Sequence, residues 1–405
     1  MKKIDYKWIA LFLLWIACFF QQGMRQIFPA LASTIGGEFG ADAAFRGSVM
    51  SVFTLVYALS VPFSGMAGDF LSRKKIVVFS LAVFSLGVLG AGWASGILGI
   101  MLLYGGINGF GQSFFYPATT SLVQQLHTDN KATALSILQL AIYLGIITFS
   151  FASGKMLDVC GDWCVPFKVL GFIGVLWAFV LVFLLRNTPL NVVSASKPAF
   201  TQALKAVFSK PSVVLLALGL GMQIFVDVGF KMWMPTYLEE TFPGLSKASC
   251  GLHAVLWHYL GAFAGVMIAS RISDRYVRRR PGIRMEINII GLLIASPFIF
   301  WMSKAQSFEA ICWAMGLFGF FRGVYDSNQF ASIFDVVEPR YRASAMGFVL
   351  LFAFSLGAVA PYLMGVVKDA FGLSLAMSAL PLFFVAGALT ILVARIWFLK
   401  RDYVK

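Results

Sequence analysis

An all-α membrane protein is the fold class the sequence predicts. Three observations predict it: little charge, a dozen apolar runs of bilayer length, and basic residues gathered between those runs. Of the 405 residues, 59% are hydrophobic and 12% charged, with a mean hydropathy of +0.82. A soluble domain carries about 25% charged residues, so this chain has too little polar surface to cover a globule in water. The formal net charge of +14 is not a nucleic-acid footprint. Its Lys and Arg sit in short clusters between apolar runs, as cytoplasmic membrane loops do.

A hydrocarbon core takes about 20 apolar residues per helix. At that length the first six spans fall near 8–31, 45–68, 76–95, 98–125, 131–154 and 165–185. The first run, from Trp8 to Phe20, lacks the cleavage site of a signal peptide and continues through Gln21, Gln22 and Arg25 to Pro29, so it is a spanning helix. The second set falls near 212–238, 248–272, 285–303, 309–336, 342–366 and 373–397. The long polar connector between them divides the chain into an N-terminal six-helix bundle (1–186), a cytoplasmic linker (187–210) and a C-terminal six-helix bundle (211–405). Within the linker, Phe200 to Phe208 suits a short interfacial helix.

Twelve spans place both termini on one side. If that side is the cytoplasm, the outside loops carry only Arg46, Lys155, Lys168, Lys247, Lys304 and Lys368 of the 32 Lys and Arg. That asymmetry sets the orientation and implies a multi-pass protein of the cytoplasmic (inner) membrane. Cys160 and Cys164 then share an outside loop, either as a disulfide or as two thiols. Cys18, Cys250 and Cys312 lie in apolar stretches, where a Cys is usually a small buried hydrophobe. Most Phe and Met read as lipid-facing filler.

The chain repeats itself across the two halves. After the second span it reads Gly65-Met66-Ala67-Gly68-Asp69-Phe70-Leu71-Ser72-Arg73-Lys74-Lys75. After the eighth it reads Ser270-Arg271-Ile272-Ser273-Asp274-Arg275-Tyr276-Val277-Arg278-Arg279. Each copy puts an Asp at the cytoplasmic end of an even-numbered span and an Arg four residues later, as an internal duplication predicts. Asp69 with Arg73, and Asp274 with Arg278, are candidate conformational latches that open when the halves rock.

The first copy resembles the G-x-x-x-D-x-x-x-R-[KR]-[KR] signature of the major facilitator superfamily, and the second resembles its degenerate C-terminal partner. Arg25 on the first span resembles the anion:cation symporter group, and the string Trp233-Met234-Pro235-Thr236-Tyr237-Leu238 resembles the organophosphate and organic-anion branch. The resemblance implies two pseudo-symmetric six-helix bundles, secondary transport and, through Arg25, an anionic substrate. Two departures stand out. Sugar-acid relatives commonly carry an Arg and a protonatable Glu in the fourth helix, where this chain has Gly105 and Gln112. Organophosphate antiporters carry an Arg near the start of the seventh, where this chain has Asp227.

Ionisable groups at bilayer depth cost at least about 2.5–3.5 kcal/mol, so they persist where they face a cavity or a partner. Arg25 shares a polar face with Gln21 and Phe28, beside Gln22, and its forked donors suit a carboxylate or phosphate. Snorkelling to the headgroups is the alternative. Asp227 and Lys231 lie one turn apart on the seventh helix, as do Arg322 and Asp326 on the tenth, near Tyr325, Asn328 and Gln329. Each pair can neutralise itself across i, i+4. As functional groups, Lys231, Arg322, Tyr325 and Asn328 join Arg25, Gln21, Gln22, Asn108, Gln112 and Tyr116 as candidate substrate ligands. Asp227, Asp326 and His258 are the candidates for coupling a cation. His253 reads as an interior residue, and Asp335 and Glu338 as loop charges near Arg340 and Arg342. Gly105, Gly106, Gly109 and Gly111 mark close packing or a flexible gate.

No G-x-x-x-x-G-K-[ST] occurs, and no nucleophile–base arrangement or metal-ligand spacing stands out, so enzyme, metal and cofactor are not expected. The expected function is secondary active transport of a small organic anion, a sugar acid or other carboxylate, coupled to H⁺ or Na⁺ by a monomer. The alternatives are exchange of phosphorylated solutes and a transporter-like solute sensor.

Overall fold

A computed structural model describes residues 5–187, 209–277 and 279–404. The described residues are helical almost throughout, with no strand among them. The first half runs α1 (Tyr6–Met24), α2 (Ile27–Phe39), α3 (Ala43–Phe70) and α4 (Arg73–Ala91). It continues through α5 (Ile97–Ile100) and a π-helical segment (Met101–Asn108) into α6 (Gly109–Leu126), then α7 (Lys131–Cys160) and α8 (Cys164–Leu184). The second half comprises α9 (Pro211–Thr241), α10 (Lys247–Tyr276), α11 (Ile283–Lys304), α12 (Phe308–Asp326), α13 (Gln329–Phe334), α14 (Arg342–Gly357), α15 (Val359–Phe371) and α16 (Leu373–Val393).

Among the described residues, ten helical stretches are long and apolar enough to cross a bilayer. The other two expected crossings are interrupted helices: α5 through α6, broken by the π segment, and α12 followed by α13. These two carry Asn108 and Gln112, and Arg322 and Asp326, in mid-span. Side-chain caps and left-handed glycines set some of the helix ends. Asp42 accepts from the Phe45 N–H at 2.6 Å to start α3, and the Ser72 hydroxyl caps α4 at the Lys75 N–H, 3.4 Å away. Gly40 and Gly161, with φ of +60° and +68°, close α2 and α7 in the left-handed conformation that glycine tolerates.

Two compact units result: Met1–Ser194 with Met234–Leu252, and Ala195–Trp233 with His253–Lys405. The ends of α9 and α10 therefore belong to the first unit. There Glu239 accepts from the Ser33 hydroxyl at 2.6 Å and pairs with Lys247. Asp158 accepts from the Lys247 and Ala248 N–H groups, at 3.1 and 2.9 Å, and so caps α10. The expected linker lies outside the described residues except for its ends, Asn187, Ser209 and Lys210, and the expected helix from Phe200 to Phe208 lies wholly outside them.

Phe12, Phe63, Phe183 and Phe371 are exposed. Phe28, Phe84, Phe115, Phe167, Phe230, Phe318 and Phe384 are fully buried. The expectation that Phe is chiefly lipid-facing filler therefore fails for a large part of the core. Aromatic rings supply much of the packed area between helices in both units.

Glycine sets the closest approaches. In the second unit, a Cβ on Gly265 would lie 1.9 Å from the Phe320 carbonyl oxygen, and one on Gly319 2.1 Å from that of His258. Backbone therefore packs on backbone between α10 and α12, which only small residues permit. In the first unit, Gly105 and Gly109 face α3 and Gly111 faces α4, whereas Gly106 borders open space. The four do not share one role.

Candidate functional site

The first unit gathers a polar cluster around Arg25. Pro29 has no N–H, and its ring would clash with the Arg25 carbonyl in a continuous helix. The sequence reads this span as one helix, but α1 stops at Met24, Arg25 and Gln26 form a turn, and α2 resumes at Ile27. The Tyr104 hydroxyl donates to the Met24 carbonyl at 2.7 Å and ties off the end of α1.

From that break the Arg25 side chain turns toward α6. Its Nε donates to Gln112 Oε1 at 2.5 Å, and Gln21 Nε2 donates to the same oxygen at 3.2 Å. Gln112 Nε2 in turn donates to Asn108 Oδ1 at 2.8 Å. The guanidinium lies over the rings of Tyr57 and Phe53 on α3, 4.7 and 5.4 Å from their centroids. Gln21, Asn108 and Gln112 are fully buried, and Arg25 is half-buried. Among the described residues Arg25 pairs with no carboxylate. Gln22 is half-buried and makes none of these bonds, and Tyr116, one turn beyond Gln112, is partly exposed.

The second unit holds a charge network. Lys231 Nζ meets Asp227 Oδ2 at 2.7 Å within α9. Arg322 Nη2 reaches across from α12 to Asp227 Oδ1 at 3.0 Å and lies 3.5 Å from Asp326 Oδ2. Asp227 thus stands between two cations. The sequence suggests two separate i, i+4 pairs, whereas the fold joins them into one four-membered cluster of no net formal charge. Arg322 Nη1 also bonds His258 Nε2 on α10, and the imidazole packs between the rings of Phe230 and Phe318, with centroids 5.3 and 4.9 Å away. The close α10–α12 crossing is what brings His258 to Arg322. The Lys231 ammonium lies over the Tyr259 ring, 5.6 Å from its centroid.

Other expected residues stand elsewhere. Tyr325 is buried toward α11, where a Cβ on Gly291 would lie 3.2 Å from its own Cβ. Asn328 accepts from the Ser273 hydroxyl at 2.6 Å and donates to Ser327 at 2.8 Å, away from the charge network. Of the residues expected to form latches, Arg73 donates to Ser121 and Gln125 on α6, at 2.6 and 2.8 Å, and Asp274 is exposed. The Asp69 side chain and Arg278 lie outside the described residues. Cys160 and Cys164 are free thiols, and Asp335 pairs with Arg284 at 2.6 Å. Sequence reasoning missed Tyr57, Phe53 and Tyr104, because an aromatic ring in an apolar span carries no signal that singles it out.

A helical membrane protein with isolated polar clusters inside each of two units has the build of a solute transporter. The Major Facilitator Superfamily model matches residues 11–287 and 244–405, and the chain belongs to that family of transporters. It is 29% identical over 360 residues to human "Protein spinster homolog 1", covering 82% of this chain and 67% of that protein. Against the rat protein of the same name it is 30% identical over 352 residues, covering 80% and 66%. The chain thus spans about two thirds of the length of these relatives. Among solved structures it is similar to a bacterial homolog of the human lysosomal transporter Spinster, in an inward-facing, unoccupied conformation. The TM-score is 0.87 at 20% identity, with 100% of this chain and 99% of the other covered.

Proposed function

We propose that this chain is a secondary active transporter that carries a small organic anion, a sugar acid or related carboxylate, with a proton across the cytoplasmic membrane by alternating access. The observation that carries the reading is Arg25. It is a guanidinium inside a membrane helix bundle, it has amide neighbours and no carboxylate partner among the described residues, and its Nη2 is buried without a hydrogen bond. A charge in such a place costs free energy unless a partner arrives. An anionic solute is that partner.

The network around Asp227 and Asp326 is the candidate for the coupling cation. Its carboxylates already face Lys231 and Arg322, so it offers a sodium ion few free oxygens. A proton needs only one. Asp326 Oδ1 is buried without a hydrogen bond and is the candidate acceptor, with His258 steadying Arg322 from the other side. An anion and a proton together carry no net charge. Their joint passage avoids the cost of about 2.3 kcal/mol per elementary charge per 100 mV. Exchange of phosphorylated solutes would need Lys231 and Arg322 as anion ligands, and both are engaged by aspartates. In this reading residues 1–186 and 211–405 form the two bundles, with both termini cytoplasmic and Asp69, Arg73, Asp274 and Arg278 acting as latches.

Proteoliposomes test the coupling. With radiolabelled sugar acids outside, an inside-alkaline pH gradient is expected to drive accumulation, and a Na⁺ gradient at equal pH is not. Accumulation on the Na⁺ gradient alone would replace the proton. Exchange of sugar phosphates without carboxylate uptake would overturn the substrate class.

A further inference from the structure

We propose that Gln112 sets the charge selectivity of the Arg25 site. It anchors the guanidinium without neutralising it, so that the site takes a carboxylate that also bears hydroxyl groups. This rests on the anion-transport reading and narrows it.

Gln112 is the amide on which the cluster converges. Its Oε1 accepts from Arg25 Nε and Gln21 Nε2, and its Nε2 donates to Asn108 Oδ1. That pattern fixes the amide's orientation and obliges Asn108 to turn its own NH₂ elsewhere. Among the side chains bonded directly to Gln112, the buried atoms left without hydrogen bonds are two donors, Arg25 Nη2 and Asn108 Nδ2, and one acceptor, Gln21 Oε1. All three belong to side chains tethered to Gln112. Two donors, one of them cationic, match a carboxylate, and the acceptor matches a hydroxyl. Burying a ligand that satisfies none of them leaves each a costly orphan.

The charge balance depends on the residue type at 112. An amide oxygen bonds the guanidinium but leaves its charge whole. A Glu has nearly the same shape, and there its carboxylate would meet Arg25 Nε at the 2.5 Å now held by the amide oxygen. The bond from a cation to a neutral amide would become an ion pair, and the cluster would then hold no net charge to attract an anion.

The test can be read without any solute. Phenylglyoxal, which adds to arginine guanidinium groups, is applied to the purified full chain in detergent, and the Arg25 adduct is followed by peptide mass spectrometry. Wild type and Gln112→Met are expected to label at similar rates, and Gln112→Glu at least tenfold more slowly. Gln21→Glu, which places a carboxylate one turn from Arg25, should also slow labelling and serves if Gln112→Glu does not fold. In parallel, calorimetry compares gluconate with hexanoate, which lacks hydroxyls, and with sorbitol, which lacks the carboxylate. Wild type should bind gluconate at least tenfold more tightly than either, and Gln112→Glu should lose that preference. Equal labelling of wild type and both Glu variants, or no labelling of wild-type Arg25, overturns the role of Gln112 whatever the solute. Slowed labelling in a protein whose wild type binds no carboxylate upholds the charge assignment and overturns the anion reading.

Discussion

Removing Arg25 should cost binding in a way that depends on guanidinium geometry. Losing one partner of a desolvated charge pair typically costs about 2–5 kcal/mol, so Arg25→Ala is expected to weaken substrate binding at least tenfold. Arg25→Lys should rescue only in part, because an ammonium cannot supply both Nε to Gln112 and Nη2 to a ligand. Calorimetry on both variants, with melting temperatures alongside, checks this. Near-wild-type affinity in both would remove Arg25 from the site. In the second unit, Asp227→Asn leaves Lys231 and Arg322 short of negative charge, and breaking a buried pair costs about 3–5 kcal/mol. Adding Lys231→Met should recover a good part of that loss. A double variant no more stable in thermal unfolding than Asp227→Asn would show that the pairing carries no energy. The polar residue types were legible in the sequence, because ionisable groups in apolar runs announce themselves. Their partners were not: Gln112 lies far along the chain from Arg25, and Arg322 far from Asp227.

Helices impose their own constraints. The α10–α12 crossing has no room for a side chain, with Gly265 and Gly319 each set against the opposing backbone. Gly319→Leu must force the helices apart. Overpacking of this kind typically costs about 1–3 kcal/mol, and it should also pull His258 away from Arg322, which it touches across this crossing. A lower melting temperature and reduced pH-driven uptake are both expected. Retention of full uptake at unchanged stability would mean that the crossing is looser than described. The glycines were visible in sequence, but not their pairing, since Gly106 on the fourth crossing looks like its neighbours and borders open space. The break after α1 follows from Pro29, four residues beyond Arg25. A reading by hydropathy runs across it, because hydropathy weighs side-chain polarity and not the backbone N–H that Pro29 lacks.

At the scale of the molecule, the charge asymmetry predicts that the α7–α8 loop faces outside. In a variant keeping only Cys160, which is exposed, a membrane-impermeant thiol reagent should label intact cells after reduction. Labelling only after permeabilisation would invert the topology. By itself the sequence determined the membrane class, the helical fold, the approximate spans, the duplicated Asp-x-x-x-Arg motif and the family. These follow from solvent transfer and periodicity, which act residue by residue along the chain. Only the tertiary structure decided that Arg25 hangs from Gln112, that two i, i+4 pairs merge around Asp227, and that the 234–252 segment packs with the first unit. It also decided that the seven fully buried Phe serve packing rather than lipid contact. A bilayer fixes which segments are buried in it, but it is nearly uniform around each helix, so hydropathy leaves open which face meets which neighbour. Close packing and hydrogen-bond satisfaction settle that, and both depend on residues distant in sequence.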